Sequence, residues 1–217
     1  MKNLLIVPTR SRPHKAVEFY EAFKEYTSDD TTLCFAIDDD DDSGYDQNMF
    51  PDVVWEVNPR LRLGGTLNLV ANKYCNDYNY LSFMGDDHRV RTLNWDQTLT
   101  SDPVEYLVAY GNDLIQGASL PTAVLMDSSI VRKVGHMCPP SLKHLYLDNY
   151  WLYLGEALRS IRYYDDVIIE HMHYSVGKSD KDALYEELNS NEQFGQDQPA
   201  WIQYRDNDFL IDLAKLR

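Results

Sequence analysis

Four groups of side chains in this chain could do chemistry: the acidic pair Asp86-Asp87, the run His171-Met172-His173, the aspartates at 38–42, and arginines in i, i+2 pairs at Arg10/Arg12, Arg60/Arg62 and Arg89/Arg91. Two carboxylates on a tight turn offer hard oxygen ligands to Mg²⁺ or Mn²⁺, with phosphate oxygens completing the shell. On extended chain, alternate side chains point the same way, so His171 and His173 can aim two imidazoles at one point. The same alternation makes each arginine pair a two-pronged contact for anions. One or two of the aspartates at 38–42 can accept hydrogen bonds from a nucleobase N–H or a ribose hydroxyl. Each group also has a plain structural reading, as an Asx turn, a strand-end histidine or a solvated charged loop.

Other phosphate and hydrolase devices are missing. The chain has no GxxxxGK[ST], GxGxxG or GxSxG, no HExxH, and His173 is followed by Tyr174-Ser175 rather than by the acid and histidine of a metallohydrolase pattern. What remains is carboxylates, arginines, the pair Gly64-Gly65 opening a helix, and a divalent-metal candidate. Together these make a diphosphate-binding kit, in which a metal and a helix N-terminus stabilise charge on a leaving diphosphate.

These groups need elements to position them. Residues 3–7 are a continuous apolar run, followed by a Pro-rich loop and by Ala16, Phe19, Tyr20, Phe23 and Tyr26 at helical spacing. Strands follow at 32–37, 53–57 and 80–84, with a helix opened by Gly64-Gly65 between the last two. The alternation predicts right-handed crossovers and a mainly parallel sheet covered on both faces, with ligands at the carboxyl ends of its strands. Residues 8–12, 38–42 and 85–88 all fall at such ends. The second half is less regular: a helix near 94–100, a strand near 105–110, an apolar stretch at 125–134, a helix from Asp148 to about 158 with Asp148 as its N-cap, a strand at 166–173, and helices at 182–189 and 208–215.

Composition narrows the setting. A length of 217 residues fits one domain, divided into a half at 1–93 and a half at 94–217. The three cysteines lack CxxC spacing, which excludes a disulfide framework or zinc ribbon and favours a reducing, cytoplasmic location. No stretch approaches a membrane span. A net charge of −15 opposes extensive contact with duplex nucleic acid.

Taken in order, residues 6–13, the aspartates from Asp38, and residues 63–68, 83–88, 147–151 and 170–173 resemble the GT-A superfamily of nucleotide-sugar glycosyltransferases. Within it they are most similar to the small family-two-like enzymes of bacteriophages. The resemblance implies an α/β, Rossmann-like GT-A domain with C-terminal helices. It implies Mn²⁺- or Mg²⁺-dependent transfer of a sugar from a nucleotide diphosphate sugar, UDP-linked in the first instance, to an acceptor hydroxyl with inversion. The acceptor would be a hydroxymethylated pyrimidine in phage DNA, a protein or a glycan, and the enzyme would act in the cytoplasm, the host's if phage-encoded. Carried over by residue, Pro8, Thr9, Arg10, Arg12 and Arg62 would lie along the nucleotide and its phosphates, and Asp38 would meet the base. Gly64, Gly65 and Asn68 would line the nucleotide pocket, and Asp86 would touch ribose or sugar. Asp87 would bind the metal, with His173, and His171 as its rival, completing the shell. Asp148 would be the general base. Asn149 stands where a second acid is common, and His88 where a third acid is frequent. Two other readings are a nucleotidyltransferase, whose glycine-rich loop is absent from residues 8–13, and a non-catalytic sugar- or metal-binding module.

Overall fold

Leu4, Leu5, Ile6 and Val7 have no solvent exposure, because the strand they form is interior to a sheet covered on both faces. In the computed structural model, which describes residues 1–102, 104–188 and 190–217, β1 (Asn3–Pro8) pairs in parallel with β2 (Thr31–Asp38) on one side and β4 (Tyr80–Phe83) on the other. Side-chain alternation splits the apolar run. Leu4 and Ile6 join the core beneath helix α2 (Arg62–Tyr74), while Leu5 and Val7 join the one beneath α1 (Pro13–Tyr26).

Beyond β3 (Val54–Asn58), which pairs in parallel with β2, the sheet departs from the expected parallel pattern. Its order is β3-β2-β1-β4-β7-β6-β8-β5, with β5 (His88–Val90), β6 (Val108–Asn112), β7 (Val124–Asp127) and β8 (Ile161–His171). β7 runs antiparallel to both β4 and β6, β5 antiparallel to β8, and β6 parallel to β8. The reversal follows from the connection. Parallel neighbours need a crossover of a dozen or more residues, usually a helix, and residues 113–123 supply only a short 3-10 turn between β6 and β7.

The other corrections are local. The apolar stretch at 125–134 divides into β7 and α4 (Ser128–Val134), where Asp127 caps the helix through the Ser129 N–H. The last strand begins at Ile161 and stops at His171, so His173 lies beyond it. After α3 (Trp95–Leu99), the helix carrying Asp148 is α5 (Leu147–Leu158), with Tyr146 rather than Asp148 at its N-cap. The expected helix at 182–189 is α6 (Ala183–Leu188), and its expected last residue, Asn189, lies outside the described residues. α7 (Asn191–Asp206) was not foreseen, and α8 (Asp208–Leu216) closes the chain. Gly195 and Pro199 hide α7 in the sequence. Its signals are Ser190, which caps the Gln193 N–H, and the buried stripe Gln193, Asp197, Trp201 and Tyr204 at helical spacing.

Candidate active site

The carboxyl ends of β1, β2 and β4 open into one cleft of about 470 Å³, a volume suited to a small organic ligand. Pro8, Thr9, Arg10 and Arg12 follow β1, Asp38 ends β2, and residues 85–88 follow β4. The second half contributes Ile115, Gln116, Leu120 and Thr122 from the β6–β7 connection, then residues 144–148, His171, His173 and Tyr185.

Asp86 and Asp87 are nearly fully buried neighbours with different surroundings. Asp86 accepts from Thr9 Oγ1 at 2.8 Å and from Arg12 Nη1 at 3.0 Å. Burial, together with the charge of Asp87, pushes its carboxyl above the usual range. Burial also opposes charge on Asp87. There the hydrogen bonds of His171 and His88 outweigh it and hold the carboxyl well below that range. Gly85 makes the turn possible, because a Cβ there would stand 2.6 Å from Asp87 Oδ1.

Asp87, His88 and His171 bring a carboxylate oxygen and two ring nitrogens within 4.8 Å of one another. Sheet register does this, since His88 is the direct partner of His171 across β5 and β8. His88 Nδ1 accepts from the Gly85 N–H at 3.1 Å and lies 3.4 Å from Asp87 Oδ1. Its Nε2 is buried with no partner. Burial lowers the pKa of the ring, which keeps it neutral. Because Nδ1 accepts the Gly85 N–H, the proton of the neutral ring lies on Nε2, a buried donor without a partner. A carboxylate and two imidazoles whose ligand atoms converge this closely fit a metal ion. The group assembled on Asp87 therefore contains His171 and His88. His173, expected as a ligand, lines the cleft with its ring centroid 5.0 Å from that of His171, but its Nδ1 is engaged beyond the strand end, accepting from the Ser175 N–H at 3.2 Å and lying 2.7 Å from Ser175 Oγ. His88 was passed over because its value depends on a strand pairing that the sequence does not announce.

The arginine pairs behave differently from one another. Ser11, at φ 56°, breaks the extended geometry that would aim Arg10 and Arg12 together. Arg10 reaches Asp38 at 2.8 Å and Asp40 at 2.5 Å, while Arg12 reaches Asp86 and Asp182. Both still line the cleft, as do Arg60 and Arg62. Arg89 and Arg91 are structural: Arg89 binds Glu18 and the backbone carbonyls of Asp86 and His88, and Arg91 binds Glu170. The aspartate run is likewise partly internal, with Asp41 accepting from the Ser11 N–H at 2.7 Å. Asp38 lines the cleft beside Arg10, and burial raises its carboxyl despite that partner.

Helix α2 presents Arg62, Leu63 and Thr66 to the cleft, whereas Gly64, Gly65 and Asn68 do not line it. Gly64 is a packing glycine, since a Cβ would stand 2.3 Å from the Leu142 carbonyl oxygen. A Cβ on Gly65 would meet the Leu61 Cβ at 2.8 Å. Asn68 accepts from the backbone N–H groups of Met137 and Cys138 and donates to the Cys138 carbonyl. Gly64 and Asn68 dock α2 on the 137–143 segment and Gly65 packs against Leu61, so the three are placed as support rather than pocket lining.

Asp148, in the first turn of α5, lines the cleft with one oxygen accepting from the Asn149 N–H at 2.9 Å. Burial raises its carboxyl above the usual range. The preceding loop is held from a distance: Asp197 on α7, 1% exposed, accepts the backbone N–H groups of Lys143, His144 and Leu145 at 2.8–3.0 Å.

No protein-family model matches the chain, and no curated protein matches it in sequence. Solved structures do match its fold. A mannosyltransferase from Pyrobaculum calidifontis, solved with GDP-Man and Mn²⁺, aligns with TM-score 0.60 and 14% identity over 80% of this chain and 57% of its own. TarS 1–349 from S. aureus with UDP aligns with TM-score 0.58 and 13% identity over 78% of this chain and 59% of its own. A candidate nucleotide-diphospho-sugar transferase from Desulfovibrio desulfuricans G20 aligns with TM-score 0.54 and 12% identity over 98% and 99% of the two chains. This chain thus spans less than two thirds of the first two and nearly all of the third. At these identities the shared property is the architecture, and the chain has the GT-A glycosyltransferase fold. Among the described residues no helix is long and apolar enough to cross a membrane.

Proposed function

We propose that the protein is a metal-dependent glycosyltransferase that moves a sugar from a nucleotide diphosphate sugar to an acceptor hydroxyl with inversion at the anomeric carbon. The observation that carries this reading is the meeting, in one cleft, of the Asp87–His88–His171 group, four arginines and the desolvated carboxyl of Asp148. The architecture supports it, since nucleotide-sugar ligands occupy similar folds.

Asp87, His88 and His171 would hold the metal, whose chemistry when bound is to neutralise charge developing on a departing diphosphate. Two imidazoles beside one carboxylate favour Mn²⁺ over Mg²⁺, which prefers an all-oxygen shell. Arg10, Arg12, Arg60 and Arg62 supply bidentate contacts to phosphate oxygens. Asp38 offers an acceptor to a base N–H or ribose hydroxyl, and Thr9 orients Asp86 toward the donor. Asp148 takes the proton of the acceptor hydroxyl as its oxygen attacks the anomeric carbon, and the bond from that carbon to the diphosphate oxygen breaks. Burial prepares Asp148 for this, because a carboxylate with a raised pKa is the stronger base.

UDP is the first donor nucleotide to try. Among acceptors, a glycan or protein hydroxyl is favoured over a hydroxymethylated base in phage duplex DNA, given the net charge of −15. A thermal-shift panel of UDP, GDP and their sugars, each with and without MnCl₂, tests the donor site. The reading expects a metal-dependent rise in Tm with one nucleotide, reaching about 2.7 kcal/mol of added stability at a hundred times Kd. A shift with metal alone would instead favour a metal-binding module.

A further inference from the structure

Residues 182–187 lie against the cleft with their own anionic and phenolic groups on its most important cations and on its metal-side carboxylate. Asp182 takes Arg12 Nε and Nη2 at 2.7 Å each. Glu187 receives Arg60 Nη2 on both oxygens at 2.9 Å and pairs with Arg62 as well. Between them, Tyr185 donates to Asp87 Oδ2 at 2.5 Å, and its ring centroid sits 4.2 Å from the Arg12 guanidinium carbon and 4.9 Å from Lys15 Nζ. One short stretch thus engages three arginines and an oxygen of the metal-capable group, all of them 98 or more residues away in sequence.

The two sides of these contacts differ in exposure. The Arg12 side chain is 6% exposed and belongs to the cleft wall, whereas Asp182 and Glu187 are 37% and 41% exposed. Arg12 is a fixed part of the wall with Asp182 as its outer partner, while Arg60 and Arg62, 29% and 32% exposed, meet Glu187 at the rim. A carboxylate and a phosphate present the same pair of oxygens to a guanidinium fork, so Asp182 and a ligand phosphate cannot share the Nε and Nη2 donors of Arg12. Tyr185 likewise holds an Asp87 oxygen that a metal would need. Gly177, in the left-handed region at φ 72°, precedes the segment with no atom near the position of a Cβ.

We propose that residues 182–187 are an internal competitor for the cleft: Asp182 and Glu187 stand where the two phosphates of a diphosphate ligand bind, Tyr185 covers the metal-side carboxylate, and the ligand must displace them. This deepens the donor-site reading above and rests on it for the ligand's identity, while the competition itself applies to any diphosphate. Its effect is a reserve on affinity, because the observed Kd is the intrinsic one divided by the fraction of molecules with the segment open. The segment is therefore distinct from a lid that closes over bound ligand, which would add to affinity instead.

Calorimetric titration of the full chain with inorganic pyrophosphate and, separately, with UDP, both in MnCl₂, tests this for wild type, Asp182→Asn, Glu187→Gln, the double variant and Tyr185→Phe. With an open fraction near one in ten, the double variant is expected to bind pyrophosphate about tenfold more tightly than wild type, with smaller gains in the single variants. In wild type, hydrogen exchange of amides 178–188 is expected to speed up when pyrophosphate is added, a readout that needs no variant to fold. Equal or weaker pyrophosphate binding by the double variant, or slower exchange in 178–188, overturns the competitor. If UDP binds all variants alike, the donor reading stands and the competitor falls. If pyrophosphate binds and tightens as expected while UDP binds none of them, the competitor stands and the donor reading falls.

Discussion

His88 and His171 are cross-strand partners whose rings stack with centroids 4.3 Å apart and 16° between their planes. Asp87, next to His88, lies 3.4 Å from both, through Oδ1 to His88 Nδ1 and through Oδ2 to His171 Nε2. The last residue of the 84–87 turn, the first residue of β5 and the last residue of β8 thereby make one three-ligand group.

That relationship separates the histidines experimentally. Asp87→Ala, His88→Ala and His171→Ala are each expected to weaken Mn²⁺ binding by an order of magnitude or more, whereas His173→Ala, whose Nδ1 is turned to Ser175, is expected to change it by less than about threefold. Mn²⁺ titration followed by electron paramagnetic resonance reads free metal directly. Loss of binding in His173→Ala with retention in His88→Ala would return His173 to its sequence-expected role.

Asp148→Asn removes the proposed base while leaving the groups assigned to the donor untouched. Transfer is expected to fall by about 10²–10⁴-fold, with the nucleotide-induced Tm shift retained. A variant that transfers sugar at the wild-type rate would show that another group takes the proton.

The pH profile follows from the same residue. Burial raises the Asp148 pKa, and a base works only when deprotonated, so kcat should fall as pH drops through a value above that of an ordinary aspartate. The acid limb of kcat against pH, measured at saturating donor, checks the sign. A limb at or below the usual aspartate value contradicts the assignment.

Asp197 can be tested as the support of the 143–146 loop. Its carboxylate serves three backbone N–H groups and Gln193 Nε2, and each hydrogen bond to a charged group contributes about 1.5–3 kcal/mol. Asp197→Asn turns an acceptor oxygen into a donor facing other donors, and chemical denaturation should show a loss of about 2–4 kcal/mol. Amide exchange at 143–146 should rise more than in the sheet.

Asp212 ties α8 to the core through one oxygen, Oδ2, which meets His136 Nε2 at 3.0 Å, Tyr150 OH at 3.1 Å and Tyr204 OH at 2.5 Å. Burial raises its pKa, but the His136 and tyrosine hydrogen bonds outweigh that and leave it lowered. Its stabilising contribution is therefore complete above the unfolded value, about 3.9, and is lost as pH falls through the lower folded value. Asp212→Asn should remove about 3 kcal/mol at pH 7 and flatten this part of the stability profile, as measured by urea denaturation between pH 3 and 7.

The sequence alone determined the strands whose burial on both faces demands unbroken apolar runs, and with them the polar clusters that must follow those strands. That is why residues 8–12, Asp38 and residues 86–87 were legible as one site, and why Asp148 could be placed at the start of a helix. Tertiary structure decided the rest. Register across β5 and β8 set His88 beside Asp87 and His171. The close approach of residues 137–143 turned Gly64 and Asn68 into packing groups, and α7, polar and interrupted by Gly195 and Pro199, proved to hold the loop before Asp148. Local pattern records which face of an element is buried, because burial acts on each residue's own hydrophobicity. It does not record which distant backbone or carboxylate will meet a given side chain, because that partner is set by strand pairing and helix docking across the whole fold.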